Sequence, residues 1–374
     1  MKRVLVFGMN ENPGGVESFI MNYYRKFTLR ELQFDFLCNS NNKIAYEDEI
    51  TNTGSKVFHI TPRSRNPIKY YREVKRFFKK NASNYSAIWV NINSLANIDY
   101  LKLAKKYGIP VRIVHSHSSQ NMDTKLREWL HIINKKKIEQ FATDFWACSN
   151  EAASWFYDSP TLKKSKIIPN AIDIEKSLLS DSARRRIREQ YQLQDNFVIG
   201  NVGRLHFQKN QEFIIKVFAD FLKIYPQSKL VLIGQGEDED KLKLLAKELA
   251  VDKEVLFVGV QPNVSDWLSA FDLFLFPSLF EGLGIAALEA QANGLPVIVS
   301  KGRVPKDVKI NDNVYFYSLS KSTEEWAKFL NDTRLNSYRE SKDNILRNFQ
   351  KFGYDINEAS KNLEKYFLDI LNDV

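Results

Sequence analysis

The stretch FPSLFEGLGIAALEAQANGLPVIVS, residues 276–300, decides the fold. The apolar run that leads into Phe276 predicts a buried strand, and IAALEAQA predicts a helix that Gly294 and Pro296 end. LPVIVS then predicts another strand. A strand, a glycine-containing turn, a helix and a second strand in this order are typical of a parallel α/β sheet.

The same alternation extends in both directions from this stretch. Short apolar runs such as RVLVFGM and YSAIWVNIN alternate with helical patterns in the first half, and the alternation restarts at FVIGNVG. A chain of 374 residues is longer than one hydrophobic core usually spans. We therefore predict two Rossmann-like parallel-sheet domains, over residues 1–172 and 173–350, with a helix over 351–374. Ligands bind at the carboxyl ends of such strands, so both domains are expected to face a cleft.

Composition indicates an ordinary globular protein, with 44% hydrophobic and 26% charged residues. No apolar run is long enough for a membrane span, and the opening run from Val4 to Gly8 is too short for a signal peptide. Cys38 and Cys148 lie far apart without metal-ligand spacing, which suits a reducing compartment. These features predict a cytoplasmic protein.

The net charge of +9 is concentrated in places, above all in KYYREVKRFFKK, between Lys69 and Lys80. Six basic residues face one glutamate there, and apolar residues recur at helical spacing. Such a helix can lie on anionic lipid, or its apolar stripe can face the domain core. No sequence signature of a nucleic-acid-binding module is present, so we expect no nucleic-acid partner.

Two glutamates flank the turn and helix of the opening stretch. The amides of Gly282, Leu283 and Gly284 cluster at a helix N-terminus, which attracts phosphate. Glu281 can accept hydrogen bonds from sugar hydroxyls, and Glu289, two turns further on, from a ribose. The alternative is a helix-capping Glu281 and a solvated Glu289, although AALEAQA is too apolar for an outward-facing helix.

The stretch NVGRLHFQKN contains the cations that a diphosphate needs. Arg204 directly follows a predicted strand, and Lys209 stands five residues later at the start of the next helix. Arginine can bind phosphate oxygens in two places, while lysine acts as a point charge. Together with the two glutamates, this pair predicts a nucleotide-sugar site.

Two further motifs follow strands in the first half of the chain. Gly14 and Gly15, in NENPGGVESF, allow a ligand to approach the backbone, although the motif is not a dinucleotide fingerprint. His115 and His117, in VRIVHSHSSQ, share one side of a strand if it continues that far. They have no third ligand at metal-binding spacing, so a hydrogen bond to substrate is the better interpretation. The alternative is a purely structural role for one of the two.

Three of these stretches, GGVESFIMNYYR, GRLHFQKN and FPSLFEGLGIAALEAQANGLPVIVS, together resemble glycosyltransferase family 4, of GT-B fold. The resemblance covers nearly the whole chain and is closest to bacterial enzymes of capsular polysaccharide and exopolysaccharide assembly. The spacing of Glu281 and Glu289, combined with Arg204 and Lys209, is its most specific feature.

The resemblance implies retaining transfer from a nucleoside-diphosphate sugar, commonly UDP-linked, without an obligatory metal or other cofactor. It assigns the diphosphate to Arg204 and Lys209, the donor sugar to Glu281 and the amides after it, and the ribose to Glu289. It also places His117, or less readily His115, beside the donor sugar. Gly14 and Gly15 would lie near the phosphates, and the C-terminal helix would cross back onto the N-terminal domain.

The base of the nucleotide is expected to contact backbone groups of the loop after VLFVGV, at Val260 and Gln261. The first domain would then bind the acceptor and the second the nucleotide sugar.

We therefore predict a retaining hexosyltransferase that moves a hexose or N-acetylhexosamine to a polyprenyl-linked or other glycan acceptor. Association with the inner membrane face through Lys69 to Lys80 is part of this hypothesis. A nucleotide-sugar epimerase of the same fold and a catalytically silent binding subunit are the alternatives.

Overall fold

The computed structural model describes residues 1–120 and 124–373, which divide into two compact units. Unit 1 combines Met1–Ala171 with Ile356–Val374, and unit 2 is Ile172–Asp355. The tail therefore returns to the unit in which the chain begins.

Unit 1 is built on a parallel sheet of short, mostly buried strands. They are β1 (Lys2–Phe7), β2 (Leu32–Cys38), β3 (Val57–His59), β4 (Ala87–Ile92), β5 (Val111–Ser116), β6 (Asp144–Ala147) and β7 (Lys166–Ile167). Their order in the sheet is β3-β2-β1-β4-β5-β6-β7, and each pairing is parallel. Strands buried on both faces read as continuous apolar runs, which is why they were visible in the sequence.

Unit 2 repeats this plan with a second parallel sheet. Its strands are β8 (Phe197–Val202), β9 (Ser228–Ile233), β10 (Val255–Phe257), β11 (Leu273–Phe276), β12 (Val297–Ser300) and β13 (Val314–Tyr317). They lie in the order β10-β9-β8-β11-β12-β13. In both sheets the strand order reverses beside the first strand, between β1 and β4 and between β8 and β11. Ligands bind at such switch points, where neighbouring connections leave in opposite directions.

Helices connect most of the strands. They are α1 (Gly15–Tyr24), α2 (Glu47–Asn52), α3 (Pro67–Asn81), α4 (Asp99–Lys106), α5 (Lys125–Lys135), α6 (Asn150–Phe156), α7 (Ser159–Lys164), α8 (Ile174–Ser177), α9 (Asp181–Gln190), α10 (Gln211–Ile224), α11 (Glu239–Glu248), α12 (Val264–Ala270), α13 (Ile285–Ala292), α14 (Thr323–Asn336), α15 (Lys342–Lys351) and α16 (Ile356–Asn372). Between α15 and α16 the chain turns at Gly353, whose φ of +77° is the left-handed conformation that commonly ends a helix.

The C-terminal helix α16 is part of the core of unit 1. The Phe367 ring lies edge-on to Trp89 and Trp146, with ring centroids 5.3 and 5.2 Å apart. Aromatic pairs of this kind add about 0.5–1.5 kcal/mol each beyond the area they bury. Helix α16 therefore stabilises the unit formed by the start of the chain.

The apolar stripe of the basic helix α3 packs into unit 1 and does not face lipid. Four of its five predicted apolar residues are buried, namely Tyr70, Val74, Phe77 and Phe78. The fifth, Tyr71, is exposed. The basic side chains point outward. The stripe therefore faces the domain core, which is the second of the two alternatives that the sequence left open. Contact of the outward-facing basic side chains between Lys69 and Lys80 with anionic lipid stays a prediction.

Candidate active site

A largely buried ion pair joins the loops that follow two neighbouring strands in unit 2. Lys209 follows β8 and Glu281 follows β11, and the Lys209 Nζ lies 2.6 Å from the Glu281 Oε1. The two residues are 72 positions apart in sequence, and they meet because β8 and β11 are adjacent at the switch point. Both side chains are shielded from solvent, so their attraction is only weakly screened.

Hydrogen bonds between the two loops fix the ion pair. The Gln208 side chain donates to the Phe280 carbonyl at 3.0 Å, and the Gln208 carbonyl accepts from the Leu279 amide at 2.8 Å. The Asn210 side chain donates to the Pro277 carbonyl at 3.1 Å. The loop that contains the candidate lysine and the loop that contains the candidate glutamate thus form one rigid surface.

The turn before α13 needs glycine at its last position. Gly284 has a φ of +103°, and a Cβ there would lie 3.0 Å from the Phe276 ring. This left-handed residue is the N-cap of α13, so the segment Gly282, Leu283 and Gly284 leads into the positive end of the helix. The arrangement suits an anionic or polar ligand close to the backbone.

Glu289 lies within α13 and is only partly exposed. Burial raises the pKa of its carboxyl from 4.5 to about 7. Within the described parts of the chain, its carboxyl makes no hydrogen bond and no ion pair. A sheltered carboxyl that lacks a protein partner is a candidate for contact with a ligand.

Arg204 extends from the end of β8 and pairs with an acid that the sequence analysis missed. Its Nη2 lies 3.0 Å from the Glu237 Oε2, and the His206 Nε2 lies 3.3 Å from the other oxygen, Oε1. A hydrogen bond from its own backbone amide and the Arg204 charge lower the pKa of Glu237. Both candidate phosphate cations are therefore paired with carboxylates in this structure.

Two glycines bring the Glu237 loop against the Arg204 loop. A Cβ on Gly234 would lie 2.1 Å from the Gly203 carbonyl oxygen, and one on Gly236 would lie 2.1 Å from that of Leu205. Only glycine permits so close a backbone approach. The motif GQGE, directly after a predicted strand, was the available signal for this contact.

Val260 and Gln261 stand apart from the ion pair in the sheet. They follow β10, an edge strand that β9 and β8 separate from β11. Val260 is exposed, and the Gln261 side chain donates to the Val258 carbonyl. Contact of these two residues with a base stays a prediction.

In unit 1 the glycine turn after β1 is held by a residue that sequence reasoning also missed. The Glu17 carboxylate, buried in α1, accepts hydrogen bonds from the Asn10 backbone amide at 3.1 Å and from its side chain at 2.8 Å. Gly14 is the N-cap of α1, and Gly15 faces open space, so the turn is both fixed and accessible.

The two histidines at the end of β5 have different surroundings. His115 is fully buried between Trp89 and Trp146, while His117 is partly exposed. Burial lowers the pKa of His117 to about 3 and holds that of His115 well below its usual value. The His117 Nε2 lies 2.9 Å from the Asn91 Oδ1, which only accepts, so this nitrogen donates. His117 is thus a neutral imidazole with Nδ1 left as an acceptor.

Residues 1–120 and 124–373 contain no cluster of three or more His, Cys, Asp or Glu suited to a metal ion. The same residues form no helix with the length and apolarity of a membrane span. Metal independence remains a prediction.

Family models and relatives agree with the architecture. The model "Glycosyltransferase Family 4" matches residues 13–176, and "Glycosyl transferases group 1" matches residues 183–350. EpsF of Bacillus subtilis, named as a glycosyltransferase, is 30% identical over 366 residues, covering 95% of this chain and 93% of that protein. The capsular polysaccharide biosynthesis glycosyltransferase CapH of Staphylococcus aureus is 24% identical, covering 98% and 99%.

A third relative and a solved structure extend the comparison. A UDP-Gal:alpha-D-GlcNAc-diphosphoundecaprenol alpha-1,3-galactosyltransferase of Escherichia coli is 31% identical over 211 residues, or 53% of each chain. The crystal structure of Anabaena Alr3699/HepE in complex with UDP-glucose superposes with a TM-score of 0.81 at 19% identity, covering 99% of this chain and 100% of that one. The predicted GT-B fold is confirmed.

Proposed function

Since this chain belongs to glycosyltransferase family 4, we propose that it moves a hexose or N-acetylhexosamine from a UDP-sugar to a glycan acceptor, with retention of configuration. The acceptor we propose is a saccharide linked to a polyprenyl diphosphate, in the assembly of a cell-surface polysaccharide. Glycosyltransferase activity follows from the family, whereas the donor, the acceptor and the stereochemistry belong to this proposal.

The observation that carries the proposal is the Lys209–Glu281 pair at the switch point of unit 2. It places a cation and an acceptor of hydroxyl hydrogen bonds 2.6 Å apart, at the start of a helix. In a nucleotide sugar, the charged diphosphate and the hydroxyl-bearing sugar are directly joined. We assign the diphosphate to Lys209 and Arg204, and the sugar to Glu281.

Glu289 would bind the ribose. Its carboxyl has no partner within the described residues, and two ribose hydroxyls would supply the missing donors. His117 would accept a hydrogen bond from a hydroxyl of the donor sugar at Nδ1, since it is neutral, partly exposed and donates from Nε2 to Asn91.

The chemistry we propose proceeds on one face of the sugar. The bond between the anomeric carbon and the diphosphate oxygen breaks, and the acceptor oxygen forms the new bond on the same side. The departing phosphate oxygen takes the proton of the acceptor hydroxyl, so atoms and charges balance. Lys209 and Arg204 would stabilise the negative charge that develops on the leaving group.

Two sequence relatives and one structural neighbour support the choice of donor, acceptor and pathway class. The Escherichia coli relative is named for UDP-Gal and a diphosphoundecaprenol acceptor, CapH for capsular polysaccharide, and the Anabaena protein was solved with UDP-glucose.

A thermal-shift panel with UDP, GDP and ADP, and their common sugar conjugates, tests the donor. A ligand that binds only the folded protein raises its melting temperature by mass action, and we expect this for UDP and one UDP-sugar. Incubation of that UDP-sugar with a polyprenyl-diphosphate saccharide should give a longer saccharide, whose new linkage has the donor's anomeric configuration by NMR.

The same incubation without acceptor separates the alternatives. A transferase leaves the UDP-sugar nearly unchanged apart from slow hydrolysis, whereas an epimerase produces a different UDP-sugar. A silent binding subunit would bind the nucleotide but yield no product with any acceptor.

A further inference from the structure

Helix α5 of unit 1 has an apolar outer face. Leu126, Trp129 and Ile132 repeat every third residue and are between 51% and 64% exposed. At 100° per residue they span about one third of the helix circumference. The opposite side faces the protein, where His131 is buried and accepts a hydrogen bond from the Leu95 amide at 3.0 Å. The apolar outer face is therefore not needed to hold α5 in place.

The start of α3 has a second exposed apolar pair, Ile68 and Tyr71, both more than half exposed. Helices α3 and α5 both form hydrogen bonds with the loop that follows β4. The Asn134 side chain of α5 donates to the Leu95 carbonyl at 2.7 Å, and Asn97 donates to the Tyr70 hydroxyl of α3 at 3.0 Å. Both apolar groups thus belong to helices anchored on the segment that follows β4.

Positive charge surrounds these apolar residues. Helix α3 contains six basic side chains against one acid, and the segment from Lys125 to Lys137 contains five against one. The two segments together carry a formal charge of +9, which equals the net charge of the whole chain. Helical periodicity puts Lys125 and Lys136 at the two ends of the face that displays Trp129.

We propose that this face, formed by Leu126, Trp129 and Ile132 with Ile68 and Tyr71 beside them, docks unit 1 onto an anionic lipid bilayer. Leucine, tryptophan and isoleucine enter the boundary between head groups and acyl chains, while lysines bind the phosphates. The lipid contact therefore belongs mainly to α5, and the buried stripe of α3 takes no part. The inference stands on the surface alone and adds a partner to the proposed function without depending on it.

Vesicle flotation tests the docking face without donor or acceptor. Wild-type protein should float with phosphatidylglycerol-containing vesicles and remain largely unbound with pure phosphatidylcholine. The triple variant Leu126→Ser, Trp129→Ser and Ile132→Ser should bind anionic vesicles about 100-fold less well, since each half-inserted side chain contributes roughly fivefold. Because all three residues are exposed, the variant should keep its melting temperature.

Two controls separate apolar insertion from general effects. Leu244→Ser with Leu335→Ser removes two similarly exposed leucines of unit 2 and should leave flotation unchanged. Lys136→Gln with Lys137→Gln should lower binding to anionic vesicles by roughly fivefold per lysine, with no effect on neutral vesicles.

Three results would overturn the proposal. Wild type could fail to prefer anionic vesicles, or the triple variant could bind them as well as wild type does. Alternatively, wild type could be a dimer by light scattering that the triple variant dissociates, without vesicle binding, and the face would then join two copies of the chain.

Discussion

At the switch point of unit 2, the loops after β8, β9 and β11 bring opposite charges together as Lys209–Glu281 and Arg204–Glu237. At the corresponding place in unit 1, the loop after β1 is fixed by a Glu17 carboxyl whose pKa burial raises. The two sheets have the same plan, so the fold determines where a ligand binds and not which ligand. Charged pairs suit a diphosphate, which can replace either carboxylate as the partner of a cation.

The largest effect is expected at Lys209. Lys209→Met removes the cation that lies 2.6 Å from Glu281 and should lower kcat by about 10²–10³. Steady-state transfer from a UDP-sugar measures this. Lys216→Met is the matched control, since Lys216 pairs with Glu212 on a partly exposed face of α10 and such a pair contributes about 0.5 kcal/mol at most to helix stability. Its loss should leave the transfer rate nearly unchanged. If both substitutions lowered kcat equally, Lys209 would have no greater role in transfer than a surface lysine.

Glu289 gives the next largest effect, on stability. Its folded-state pKa of about 7 lies above its ordinary value of 4.5, so protonation of its carboxyl stabilises the folded state. This stabilisation is fully present below pH 4.5 and is lost as pH rises through about 7. At pH 8 the wild type must bury an ionised carboxylate, whereas the glutamine of Glu289→Gln is neutral. The variant should therefore be more stable than wild type by about 1–3 kcal/mol at pH 8. Denaturant unfolding of both proteins at pH 6 and pH 8 measures the difference.

UDP binding by the same variant is the accompanying measurement. Glu289→Gln should bind UDP more weakly than wild type at pH 8, despite its greater stability, since a carboxamide accepts ribose hydroxyls less strongly than a carboxylate. A variant that was less stable and bound UDP normally would make Glu289 a structural residue.

Glu17 allows the corresponding loop of unit 1 to be tested through its effect on stability. Glu17→Ala leaves the Asn10 amide without its acceptor and should reduce stability by about 0.5–1.5 kcal/mol. Glu17→Gln keeps an oxygen acceptor and should restore most of the loss in melting temperature. If glutamine failed to restore the melting temperature, the charge of Glu17 would be needed for stability. The loop after β1 would then depend on charge, as the loops of unit 2 do.

The smallest effect is expected at Glu237. Its pair with Arg204 is exposed, and such pairs contribute about 0.2–1 kcal/mol. Glu237→Gln frees Arg204 for phosphate and should tighten UDP binding by about 1.5–5-fold at low salt, with less gain at high salt. Calorimetric titration measures this, and weaker binding by the variant would contradict it.

The sequence predicted the double α/β fold well, because strands buried on both faces are apolar throughout. It also predicted that Arg204, Lys209 and Glu281 lie in loops that follow strands of unit 2, as the structure has them. Their roles in binding stay predictions. Glu237 and Glu17 escaped, because an acid in a loop or a first helical turn has no distinctive pattern until its partner is known.

Burial was harder to predict than position. The stripe of α3 and the outer face of α5 have similar spacing and flanking charge, and only tertiary packing decides that Phe78 is buried and Trp129 exposed. The same holds for His115, on β5, and His117, just after its end, of which only the first lies wholly in the core.

Hydrogen–deuterium exchange with and without saturating UDP tests directly whether the nucleotide binds at the switch point of unit 2. Amides that a ligand covers or rigidifies exchange more slowly. We expect the largest protection in unit 2, over residues 203–211 and 281–289. Unchanged exchange in both segments, with protection elsewhere in the chain, would contradict the assignment of the nucleotide to this switch point.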